Sequence, residues 1–317
     1  MKLVFVTLSF NITSFMPAIS GFSVLWKGCF SKFLFTITLF IIRLHLSAQP
    51  YFDVLNIQFI NSPDRNLANK TSSPSAIQYL SVQTGLPVKM NQNFIVFNPF
   101  YESYRLKLTG EQNNSLTFYS VGLPVTYLKQ WKTEKWKTAF VLIPRINSDF
   151  EKISSNNYQY GGAAVAIYEK KENLKYKFGV YYNSEFFGPF IIPLLGIDWN
   201  INARTNLFGL LPGNLTLEYK ISSTLYGGIN FKSITNTYRF TTINENNYYL
   251  KIADNYLKIF LDYYPMKNIA VTVEAGHTAF RKYSTGIGDE LTHLKQLKDG
   301  TLLKAGISYR IRLTEIK

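Results

Sequence analysis

The sequence predicts an all-β protein: a closed antiparallel up-and-down transmembrane β-barrel of about 12–14 strands behind an export leader. Three observations predict it. The chain opens on a short apolar run with a basic start and a small-residue exit. Strand-length stretches of alternating apolar and polar residues then recur almost to its end. No stretch after residue 50 holds about 18 uninterrupted apolar residues, so no spanning helix is on offer.

The leader comes first. Phe33 to Ile42 is apolar, Lys32 precedes it, and Ser47-Ala48 follows. That order is a secretory signal, and the run is too short for a spanning helix, which needs about 20 residues. Cleavage near Ala48 divides the chain into a leader, 1–48, and a barrel domain, 49–317. Cys29 is the only cysteine and lies in the leader, with Lys27 where a lipidation box wants an apolar residue. The mature chain is therefore expected to have no disulfide, thiolate metal site or cysteine nucleophile. Lys2, Lys27, Lys32 and Arg43 leave with the leader, which lowers the net charge from +14 to +10. The remaining cations are scattered among Tyr and Phe with no basic run, which argues against nucleic acid. Anionic lipid and lipopolysaccharide are the expected charged partners.

The strands follow in order. Period-2 alternation puts one row of side chains on each face. In 174–183, Tyr176, Phe178, Val180 and Tyr182 oppose Lys175, Lys177, Gly179, Tyr181 and Asn183. In 214–221, Leu215, Leu217, Tyr219 and Ile221 oppose Asn214, Thr216, Glu218 and Lys220. In 303–314, Leu303, Ala305, Ile307, Tyr309, Ile311 and Leu313 oppose Lys304, Gly306, Ser308, Arg310, Arg312 and Thr314. A soluble sandwich alternates too. Long strands, many Tyr and Phe near strand ends, and connections alternating between long and short favour the barrel. The pattern gives fourteen strands: 51–60, 76–89, 93–108, 115–130, 136–146, 158–170, 174–186, 190–202, 206–211, 214–221, 224–240, 248–264, 268–282 and 301–313. The ninth is short for a span, which leaves twelve as an alternative. Long links are expected at 61–75, 109–114, 147–157, 241–247 and 283–300. Pro87, Pro99, Pro124, Pro144 and Pro193 fall inside these strands, where proline costs a ladder hydrogen bond; bulges or strand ends are expected there.

The segment FIIPLLGIDWNINARTNLFGLLPGNLTLEYK at 190–220 carries a resemblance. Pro193-Leu194-Leu195-Gly196-Ile197-Asp198-Trp199, Phe208-Gly209-Leu210-Leu211-Pro212 and Leu215-Thr216-Leu217-Glu218-Tyr219 resemble an uncharacterised family of outer-membrane β-barrel proteins of Gram-negative bacteria. Phe178 to Tyr182 and Ala305 to Arg310 are similar too. The resemblance implies a barrel, an export signal and no assigned activity. The outer-membrane assembly machinery is then a partner. It reads a terminal aromatic in many barrels, a part that Tyr309 or Leu313 would take here.

Chemistry is sparse. His277 and His293 are the only histidines of the mature chain. Ser284 follows His277 by seven positions, with no nucleophile elbow, so no catalytic residue is assigned. His293 is placed in an outer loop, where Glu290 to Leu297 could make a helical turn or two. Asp289 and Glu290 lack the spaced oxygens of a calcium loop, and Gly161-Gly162 and Gly227-Gly228 lack a phosphate loop's context. Those glycines are expected at bends or close packing in a curved sheet. No cofactor or metal is assigned. The wet face holds Arg105, Lys107, Lys175, Lys177, Lys220, Lys258, Lys304, Arg310 and Arg312 against Glu218, Asp262 and Glu274. That set reads as a basic lumen, either favouring anions or filled by its own ion pairs. The expected function is non-enzymatic: a small passive pore or a structural envelope protein in the outer membrane. The alternatives are a membrane-embedded lipid-modifying enzyme and a soluble exported β-sandwich binding protein.

Overall fold

The structure is a computed structural model, and it describes residues 50–62, 74–108, 115–133, 135–240, 248–288, 290–296 and 299–313. The expected leader, and the links 63–73, 109–114 and 241–247, lie outside the described residues. Eighteen strand segments run in order: β1 (Tyr51–Ser62), β2 (Pro74–Thr84), β3 (Leu86–Met90), β4 (Asn93–Phe97), β5 (Phe100–Leu108), β6 (Ser115–Gly122), β7 (Val125–Gln130), β8 (Trp136–Ser148), β9 (Tyr158–Lys171), β10 (Leu174–Glu185), β11 (Gly188–Asn200), β12 (Thr205–Leu211), β13 (Asn214–Lys220), β14 (Leu225–Arg239), β15 (Tyr248–Met266), β16 (Ile269–Ile287), β17 (Glu290–Gln296) and β18 (Thr301–Arg312).

These segments make fourteen wall strands. β2 and β3 are one strand broken at Gly85, β4 and β5 one broken at Asn98-Pro99, and β6 and β7 one broken at Leu123-Pro124; the register is constant across each break. β17 pairs with β16 beyond the end of β18. Each wall strand pairs antiparallel with the next, and β1 pairs with β18 from Tyr51↔Arg312 to Asn61↔Leu303, which closes the barrel. Closure leaves no free first or last strand, and an edge remains only where a wall strand outruns its neighbour. The segment Glu290–Gln296, expected to coil into a helical turn, is instead strand, because the loop-end part of β16 offers it a free edge.

Both described ends of the chain lie at one end of the barrel with six short links; this is the turn end. The opposite, loop end carries 149–157 and the β16–β17 hairpin among the described residues, together with two short links, 186–187 and 212–213. The outward row is apolar across the wall: Leu142, Ile191, Leu195, Leu257, Ile259 and Leu261 are each more than half exposed. Gly228 belongs to this curved wall because nothing larger fits. A Cβ there would lie 1.9 Å from the Leu217 carbonyl oxygen of the neighbouring strand.

Pro87 lies in β3 opposite Val96, and five other prolines fall into two groups with separate physical reasons. Across three breaks the pairs keep one hydrogen bond of two: Thr84 N–H donates to the Pro99 carbonyl, Asn98 N–H to Pro124 and Leu123 N–H to Pro144. Proline accepts but cannot donate in return. On β11 the situation differs. Ile201 N–H donates to Thr205 and Asn200 N–H to Asn173, so odd-numbered residues of β11 aim their backbone at β12 and even-numbered ones at β10. β12 ends at Leu195↔Leu211, and beyond it the odd positions of β11 are 189, 191 and 193. Two of these are proline. Pro189 and Pro193 thus delete donors along an edge that has no partner among the described strands.

The wall is low there because the hairpin β12–β13 is short and β14 turns inward above it. β14 pairs with β13 only over Tyr226–Lys232. Its loop-end part reaches the far side of the barrel, where Arg239 pairs with Ser148 of β8 and accepts a hydrogen bond from Asp149 N–H at 3.1 Å.

Candidate functional site

The lumen is the candidate site, and it is built in layers. At the turn end, Arg312 of β18 reaches across to Glu218 of β13 with two bonds, Nη2 to Oε2 at 2.6 Å and Nη1 to Oε1 at 3.2 Å. It also donates to Tyr264 Oη at 3.1 Å and lies 3.5 Å from the Tyr226 ring. Asn206 donates to the same Glu218 at 3.0 Å. Arg310 is held between Asp53 at 2.5 Å and Asp262 at 2.6 Å, over the Tyr51 ring. Tyr51 in turn meets Phe208 of β12 edge-on, with ring centroids 5.6 Å apart. β1 and β12 are six wall strands apart, nearly opposite, so this contact crosses the lumen.

Further in, Glu274 lies between Lys258 at 2.6 Å and Lys304 at 2.8 Å, while Lys177 binds Asp198 at 2.7 Å and Lys175 binds Glu169 at 3.2 Å. Toward the loop end the interior becomes apolar. Ile77, Tyr104, Leu106, Phe118, Tyr238, Leu250, Ile252 and Tyr283 form one buried cluster drawn from β2, β5, β6, β14, β15 and β16. Beside it, Asp254 takes Arg281 at 2.9 Å and Tyr256 at 2.9 Å. On the other face of β14, Arg145 pairs with Glu185 at 2.9 Å, and Gln159 donates to Thr237 at 2.7 Å. Asn147 donates to Gln159 at 2.7 Å and to the Thr237 carbonyl at 3.0 Å. These bonds bind β14 to β8, β9 and β10 across the mouth.

Of the residues expected on the lumen face, Lys175, Lys177, Glu218, Lys258, Asp262, Glu274, Lys304, Arg310 and Arg312 are buried inside, and Lys220 lies over the Tyr226 ring at the turn end. Arg105 and Lys107 do not belong with them. Both are exposed on the outer face, Arg105 donating to Ser115 at 3.3 Å, because their neighbours Tyr104 and Leu106 fill the apolar interior. The face rule inverts near the loop end, where the interior is oily and the exterior wet. Tyr104, Tyr264 and Tyr283, tyrosines near strand ends of the kind expected at a membrane girdle, are buried inside, Tyr104 and Tyr283 in the apolar cluster and Tyr264 at the turn end against Arg312.

Sequence reasoning also missed carboxylates. Asp53, Glu102, Glu169, Glu185, Asp198 and Asp254 all face inward, and five of the six close ion pairs with lumen cations. Glu185 and Asp254 lie in phase with the expected lumen rows of their own strands, so extending those rows would have found them, whereas Glu102 is out of phase with Arg105 and Lys107. The lumen is thus near charge balance rather than strongly basic. Gln83, Phe100 and Glu102 border a half-open lumen cavity of about 450 Å3 on the β1–β8 side. His277 is exposed on the outer face and Ser284 is buried, so the two are not brought together.

Residues 55–292 match the sequence profile of a domain of unknown function (DUF6268). The chain belongs to this family. The DUF6268 region contains most of the lumen ion pairs, while Asp53, Lys304, Arg310 and Arg312 flank it. No curated protein is similar to the chain in sequence. Among solved structures, the NanC porin is similar over 81% of this chain and 100% of its own, at 10% identity and TM-score 0.40. The Pseudomonas putida toluene transporter TodX is similar over 86% and 92%, at 12% identity and TM-score 0.38. The β domain of the Bordetella autotransporter BrkA is similar over 82% and 100%, at 9% identity and TM-score 0.33. Likeness of shape at this level carries nothing about function.

Proposed function

We propose that this DUF6268 protein is a non-enzymatic outer-membrane barrel held closed, a narrow gated channel rather than an open passive pore. The apolar outward row supports a place in a bilayer. Six links of about two to five residues at the turn end support a periplasmic position for it, since outer-membrane barrels have short periplasmic turns. The observation that carries the closed reading is the bridge from Arg312 to Glu218, four wall strands round the barrel, at the turn end. The charge balance of the lumen favours mutual pairing over a standing attraction for anions.

Single-molecule conductance of the refolded full chain in planar bilayers tests the proposal, with heat-modifiable gel mobility showing that each variant is folded. The wild type is expected to be almost silent. The double variant Arg312→Gln with Glu218→Gln removes the bridge without leaving a lone charge, and it is expected to show frequent openings. Steady conductance from the wild type would overturn closure. A double variant that folds and stays silent would overturn gating and leave a structural envelope barrel.

A further inference from the structure

We propose that the cavity on the β1–β8 side of the lumen is a binding site for a small neutral or amine-bearing sugar. The site goes beyond the closed-channel reading, because it is defined by what lines the cavity and not by whether the barrel conducts. Its volume of about 450 Å3 lies within the range of ligand pockets, roughly 300–1,000 Å3.

The lining is mixed in the way that a polyhydroxylated ring requires. Gln83 and Asn98 bring carboxamides, each both donor and acceptor, and Glu102 brings an acceptor. Phe100 and Pro124 give apolar faces for the C–H side of a sugar ring. Thr84 Oγ1 at the wall is buried without a hydrogen-bond partner among the described residues. A site for an apolar solute would not present so many hydrogen-bonding groups, since each would lose water on binding.

Charge narrows the class further. Asp53 is already answered by both Arg310 and Asn56, which donates to it at 2.9 Å. Glu102 has only the Tyr79 hydroxyl, at 2.6 Å, and no ion pair with Lys or Arg among the described residues. The cavity therefore presents one carboxylate with no cation bonded to it, Lys232 acting on it only through space. That disfavours an anionic sugar and favours a neutral or amine-bearing one, whose ammonium Glu102 would meet.

The test is calorimetric titration of the full-length barrel, refolded in detergent, with glucose, glucosamine and glucuronate as probes. Saturable binding of glucosamine is expected, stronger than that of glucose, with none of glucuronate. Gln83→Leu should weaken both binding sugars at least tenfold. Glu102→Gln should equalise glucosamine and glucose while leaving glucose binding in place, a pattern that unfolding cannot mimic. Heat-modifiable mobility must be retained in both variants. Preference for glucuronate, absence of saturable binding to a folded wild type, or binding unchanged by Gln83→Leu would each overturn the proposal. None of these outcomes bears on conductance, so the two proposals fail separately.

Discussion

Arg312 shows how much one residue of the lumen carries. Its guanidinium holds Glu218 twice, donates to Tyr264 and lies over Tyr226, and its side chain is 5% exposed. A planar fork suits that combination where a lysine ammonium does not. Glu218 has no exposed side-chain surface. Removing either partner strands a buried charge, which typically costs about 3–5 kcal/mol, whereas removing both can be nearly neutral. Glu218→Gln is therefore expected to destabilise the barrel by about 3 kcal/mol, near the low end of that range, because Gln keeps an acceptor for Asn206. The double variant should recover most of the loss. Urea unfolding of the protein in lipid vesicles, followed by the heat-modifiable band, measures both. Additive single and double variants would mean that the bridge does not couple β18 to β13.

At the scale of the strand, alternation made most of the barrel legible. The ends of the expected strands match the wall within about two residues, save that β16 runs on to Ile287, past the expected end at 282, because two faces in different solvents leave a two-residue period in the sequence. That same rule misplaced Arg105 and Lys107, since it assumes one solvent per face along the whole strand. Near the loop end Tyr104 and Leu106 pack against Phe118 and Tyr238 inside the barrel, and the polar row turns outward. The inward turn of β14 that creates this core involves partners six wall strands away, Arg239 and Ser148, which no local pattern encodes. Prolines show the same split between local and distant causes. Pro144 sits in a paired position where Leu123 N–H reaches its carbonyl and no bond returns. Pro144→Ala restores a donor opposite an acceptor, so it should stabilise the wall by about 1 kcal/mol, less the loss of proline's restraint on the unfolded chain. Pro193→Ala exposes a donor on the unpartnered part of β11 and should destabilise by about 1–3 kcal/mol. Opposite signs in the same vesicle unfolding experiment are the expected result. Equal signs would remove the distinction between a seam and an open edge.

The whole molecule is a barrel whose two surfaces change character along its axis. Inside, ion pairs fill the turn end and aromatic rings the loop end. Outside, an apolar band gives way to charge at the loop end, where Arg105 lies. The composition is strongly basic, yet among the described residues most inward cations meet carboxylates, and Arg105 and Lys107 project outward. This arrangement fixes where a charge can be tolerated. Ile259 is 63% exposed on the outward row of β15, seven residues from the turn-end limit of that strand. Arginine there would lie in hydrocarbon and should cost about 2–4 kcal/mol. Arg105→Leu changes an exposed side chain whose guanidinium bonds, among the described residues, to Ser115 at 3.3 Å, and should shift stability by less than about 0.5 kcal/mol. Folding into lipid vesicles across a urea series compares the two variants directly, and repeating it in detergent micelles should shrink the Ile259→Arg penalty because a micelle deforms around a charge. A penalty of the same size for both variants in vesicles would mean that Arg105 sits at the depth of Ile259, and the axial change of character argued from Tyr104 and Leu106 would be lost.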